Sequence, residues 1–101
     1  MNAIAIPELV EPAEPTVWLL ESGEQSEGGA TLGIYADRDL AKSDLVEAAT
    51  AMDALNRRVY NTGVTVSVET DGTINIASKS EWLSLTPRAL VTRTNRLALS
   101  A

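Results

Sequence analysis

Ala41, Leu45, Ala48, Met52, Leu55 and Val59 follow one another at intervals of 4, 3, 4, 3 and 4 residues. No other feature of the chain restricts its fold so tightly. That spacing lines up on one side of a 3.6-residue helix and on neither face of a strand. Lys42, Ser43, Glu47, Thr50, Asp53 and Arg57 fill the opposite side. Both ends are marked as well. Asp37 is placed as an N-cap with Asp39 in the first turn; Arg57 and Arg58 close the last turn, and Asn61 or Gly63 can take the left-handed cap. The spacing predicts a helix from Asp37 to about Val59, with an apolar stripe that something else must cover.

Alternating segments supply the cover. Val64 to Glu69 alternates apolar and polar residues, and Thr73 to Ala77 continues the pattern beyond Asp71-Gly72. A two-residue turn would set Val68 against Asn75. A three-residue loop, Thr70-Asp71-Gly72, sets Val68 against Ile74 and Val66 against Ile76, with Gly72 as the left-handed residue of a G1 bulge. Register therefore selects the longer loop. Upstream, Thr16 to Glu21 is apolar on both faces and predicts a strand interior to the sheet. Ser22 to Gly29 reads as a polar loop. Ala30 to Ala36 reads as a second strand, antiparallel to the first, with Leu32 and Ile34 on one face and Thr31, Gly33 and Tyr35 on the other. Trp82 to Leu85 adds a further short strand, and extended chain is expected to about residue 93. A helix starting at Thr86-Pro87 is the competing reading of that segment. The sum is an α+β fold of order ββαββ(β): one long amphipathic helix on one face of an antiparallel sheet, its stripe buried against Val64, Val66, Val68, Ile74 and Ile76.

Residues 1–15 hold Pro7, Pro12 and Pro15 in an acidic stretch, which suits neither a ladder nor a helix interior. They are expected to form a flexible tail. Glu8, Glu11 and Glu14 recur every three residues, the repeat of a polyproline II helix, so the tail is either a docking strip for a basic partner or a solvated leader. Residues 16–93 form a single domain, and 94–101 a frayed C-terminus.

The chain has no Cys and no His. Cys/His zinc sites, Cys nucleophiles and Ser-His-Asp triads are therefore out of its reach, and no disulfide can form. No phosphate-cradling GxxxxGK[ST] or GxGxxG motif occurs, and Asp37-Arg38-Asp39 departs from a calcium loop at Ala41 and Lys42. No cofactor, metal or catalytic residue is predicted. No apolar run is long enough to span a bilayer and the first residues do not read as a signal peptide, so no membrane partner and a cytoplasmic address are expected. Charge is uneven: residues 1–53 carry eleven acidic and two basic groups, −9, whereas residues 54–101 carry three and six, +3. The candidate interaction residues are Trp18 and Trp82, each of which reads first as a core anchor and otherwise as an exposed contact, with Arg88, Arg93 and Arg96 in the basic half.

Val17-Trp18-Leu19-Leu20-Glu21, followed by Leu32-Gly33-Ile34-Tyr35-Ala36-Asp37-Arg38-Asp39-Leu40-Ala41-Lys42, resembles small uncharacterised proteins of actinobacteria and their phages. Ser80 to Pro87 is similar to a late segment in some of them. The resemblance covers about 35 residues in two pieces. It implies a hairpin followed by a helix and transfers no activity and no functional residue. Function is thus narrowed by exclusion to a non-enzymatic domain acting by protein–protein contact or homodimerisation, the partner being an unknown protein or a second copy. The alternative is a nucleic-acid-binding module using Arg57, Arg58, Lys79, Arg88, Arg93 and Arg96, with Trp82 as a stacking platform. An acidic DNA mimic, or an enzyme using paired carboxylates such as Glu24 and Glu27, comes third.

Overall fold

A computed structural model describes residues 3–12, 15–25 and 27–90. Its elements are β1 (Thr16–Glu24), β2 (Gly29–Tyr35), α1 (Arg38–Tyr60), β3 (Thr65–Val68), β4 (Ile74–Ala77) and β5 (Glu81–Ala89). They build the expected α+β fold, one helix against an antiparallel sheet of order β2-β1-β5-β4-β3.

The helix ends are set by local chemistry. Asp37 Oδ1 accepts from the amides of Asp39, at 2.8 Å, and Leu40, at 3.1 Å, and Asn61 takes the left-handed cap at φ 58°. The β3–β4 hairpin has the predicted register, Val66 against Ile76 and Val68 against Ile74. Glu69 and Thr73 close the loop, and Gly72 is left-handed at φ 94°. β1 is interior, between β2 and β5.

Four features differ from expectation. First, the buried line of α1 is Ala41, Leu45, Ala49, Met52 and Asn56, while Leu55 and Val59 are exposed. Fifteen residues in 4, 4, 3, 4 steps turn the contact line by roughly 60° about the axis, as happens when a straight helix crosses a twisted sheet. Second, Val68 is exposed. It lies on β3, the strand at the opposite edge of the sheet from β2. The main sheet contacts of α1 are with β1, β2 and β5.

Third, the segment expected as a flexible tail is docked. The Ile4 amide donates to Thr50 Oγ1 at 3.0 Å, Lys42 pairs with Glu8 at 2.7 Å and Arg38 pairs with Glu11, so residues 4–11 run antiparallel to the first half of α1. Leu9 is only 6 % exposed and joins the core, with Ile4 and Ile6 packed against it. The prolines exclude regular structure but not burial of the aliphatic side chains between them. Fourth, β1 continues through Ser22, Gly23 and Glu24, which shortens the expected loop. The reason is β5, which pairs with all nine residues of β1, from Thr16 with Ala89 to Glu24 with Glu81. The strand reading of residues 86–89 holds, whereas residues 91–93 and the expected frayed end lie outside the described residues. Pro87 is tolerated because β4 pairs only as far as Leu85, leaving β5 with β1 alone beside the ring.

Candidate functional site

The inner face of the sheet is spent on the core. Trp18 and Leu20 of β1, Ile74 and Ile76 of β4, and Leu83 and Leu85 of β5 are all buried under α1 and the N-terminal segment. Tyr35 closes this layer at the β2 side, its hydroxyl donating to Asp44 Oδ2 at 2.7 Å. That hydrogen bond, with partial burial, pushes the phenol above its usual pKa.

Trp18, a candidate interaction residue, is 1 % exposed and belongs to this core. It is withdrawn from any surface. Trp82 lies on the other side of the sheet, since Trp18 pairs with Pro87 and Gly23 with Trp82, five residues apart on β5. The two tryptophans therefore do not form a pair. The indole of Trp82 covers Gly23 of β1 and Gly29 of β2: a Cβ added at either glycine would come within 2.7 Å of the ring. These glycines, which signal a loop in the sequence, are in fact the floor beneath an aromatic ring.

The outer face, which carries no helix among the described residues, presents Val17 and Leu19 from β1, Ile34 from β2 and Trp82 from β5. Leu19 stands against Ile34, and Thr31 against Glu21. Between these pairs the β1–β2 register shifts, leaving Leu32 as the extra residue of a bulge. Leu32 and Ile34 are 54 % and 67 % exposed. The outer edge is β2 itself, uncharged and free of proline from Gly28 to Ala36.

The basic residues that are described do not converge. Lys79 sits over the Tyr60 ring, 5.0 Å from its centroid, at the C-terminal end of α1, and Arg57 pairs with Asp53 nearby. Arg88 is at the far end of β5, seven residues beyond Glu81 and so roughly 23 Å away along the strand. Arg93 and Arg96 lie outside the described residues. Among the described residues, the carboxylates nearest one another are taken up by structural contacts. A hollow of about 350 Å³ at the start of α1 is lined by Glu11, Asp37 and Asp39, but Glu11 holds Arg38 and Asp37 caps the helix. Glu24 and Glu27 are exposed. Among the described residues no group of three or more Asp or Glu is placed to hold a metal ion, and no helix is long and apolar enough to cross a membrane.

The acidic strip of the N-terminal segment is largely used internally, Glu8 and Glu11 being bound by Lys42 and Arg38. The Lys42 ammonium, by hydrogen bond and then by charge, lowers the pKa of Glu8. Comparison with protein-family models, curated proteins and solved structures finds no match to this chain.

Proposed function

We propose that this chain is a non-enzymatic domain that acts by protein–protein contact, through the sheet surface around β1 and β2. The observation that carries the reading is the exposure of Leu32 and Ile34 on an edge strand, beside Val17, Leu19 and Trp82 on a face with no helix over it among the described residues. Exposed apolar groups clustered in this way favour a partner surface more than solvent. The missing Cys and His agree with a role that needs no nucleophile or metal. Nucleic-acid binding has less support, because the described basic groups are spread over both ends of the sheet.

Affinity capture with the intact chain, compared with an Ile34→Asp variant, tests the proposal. Ile34 is largely exposed and is not one of the buried core residues, so the fold should persist, as a heteronuclear spectrum would verify. A partner retained by the native chain, lost by the variant and crosslinked to the outer face is the expected outcome. Equal retention by both, or crosslinks confined to α1, would defeat the reading.

A further inference from the structure

We propose that the edge of β2, unpaired among the described residues, accepts an extended, basic peptide segment of a partner protein as an added antiparallel strand. This deepens the protein-contact reading above and rests on it. As an edge strand, β2 leaves about half of its backbone amides and carbonyls directed away from β1. Edges are usually guarded by charge, proline or a bulge; β2 has neither charge nor proline between Gly28 and Ala36 and carries a single bulge at Leu32. The opposite edge, β3, is only four residues long.

Charge selects the guest. Glu21 pairs with Thr31 of β2, Glu24 and Glu27 stand at the β1–β2 connection, Asp39, Asp44 and Glu47 are in the first half of α1, and neither β1 nor β2 contains a Lys or Arg. Asp44 is tied directly to β2 through Tyr35, and Glu47 borders the hollow beside that ring. The two bases in the first half of α1, Arg38 and Lys42, are held by Glu11 and Glu8 of the N-terminal segment. A positively charged strand meets complementary charge here, whereas a second copy brings the same acids to the same edge. The β2 bulge, a device that discourages edge pairing in general, weighs more against a second rigid, bulged edge than against a short segment that can follow the local twist.

The experiment uses the full chain at low concentration, with amide exchange read by NMR. The probe is an end-blocked peptide of about eight residues alternating Arg with Val, long enough to match β2. Amides of Gly29 to Tyr35 that face away from β1 should gain about tenfold protection or more, as a few ladder hydrogen bonds require. The gain should shrink as salt is raised from 0.05 to 0.5 M, roughly a threefold fall in Debye length. It should vanish with Glu in place of Arg, and with alternate peptide amides N-methylated, which removes ladder bonds but keeps the charge. Protection absent from β2, or unchanged by N-methylation, overturns the proposal. So does β2 protection already present without peptide, which assigns the edge to an internal segment if independent of concentration and to a second copy if it grows with it. All arms use the native chain. If Ile34→Asp loses its partner while β2 stays unprotected, only the strand-addition proposal fails; if Ile34→Asp changes nothing, the protein-contact reading fails.

Discussion

Gly72 combines two constraints in one residue. Its φ of 94° is a conformation that L side chains rarely adopt, and an added Cβ would lie 2.9 Å from Val10 Cγ2 in the N-terminal segment. Gly72→Ala should therefore cost about 1–2 kcal/mol from backbone strain alone, read as a lower urea midpoint. Asp53 is a second such residue. Its Oδ1 accepts from the Val64 amide at 3.0 Å and its Oδ2 from Arg57 Nε at 2.9 Å. The Val64 hydrogen bond first, then Arg57, lowers its pKa below the usual aspartate value. Between that folded value and the ordinary one, the unfolded chain binds more protons, so stability rises with pH across the interval. The contribution is complete above the ordinary aspartate pKa and lost as pH falls through the depressed one. Denaturation midpoints measured from pH 6 down to about pH 2 should fall less steeply for Asp53→Asn than for the native chain.

Among the elements, the N-terminal segment has the least regular structure yet a definite structural role. Two kinds of contact hold it, and their magnitudes decide which matters. The pairs of Glu8 with Lys42 and Glu11 with Arg38 involve highly exposed carboxylates, and such pairs contribute about 0–1 kcal/mol. Leu9, by contrast, is in the core, where Leu→Ala substitutions cost about 2–5 kcal/mol. Leu9→Ala should lower stability by an amount in that range in chemical denaturation of the full chain. Glu8→Gln should change it by less than about 1 kcal/mol. A mobile tail would make both substitutions silent. The segment runs beside α1, and its Val10 lies close to Gly72 of the β3–β4 loop.

For the whole molecule, β5 is the joint. It is the last described strand in the chain and the central one in the sheet, bonded to β1 along nine pairs and to β4 along four. Without it the sheet is two separate hairpins, β1-β2 and β3-β4. Pairing Thr16 with Ala89 closes most of the chain into one loop, so cooperativity should centre there. Native-state exchange should be slowest for amides shared by β1 and β5, matching global unfolding, and faster by sub-global opening in β3 and the last turn of α1. Slowest exchange in α1 instead would place the stable unit elsewhere.

What could be read from the residues is what depends on neighbours a few positions apart. The helix, its Asp37 and Asn61 caps, and the Val66–Ile76 register all follow from 3.6- and 2-residue periods and from turn stereochemistry. Asn56 escaped that reading because periodicity sees only polarity. Its amide bonds to the Met52 carbonyl at 3.0 Å, its Oδ1 accepts from the Lys79 amide at 3.4 Å, and so a polar residue is buried. The loop expected at Gly23 and Gly29 gave way for a similar reason, since only the folded sheet brings Trp82 above them. Tertiary structure alone decided that β5 inserts beside β1, that Trp18 faces inward and Trp82 outward, and that Leu9 of the N-terminal segment joins the core. Each is a contact between residues far apart in the chain, where burial of apolar surface outweighs local preference and no short-range pattern records the partner.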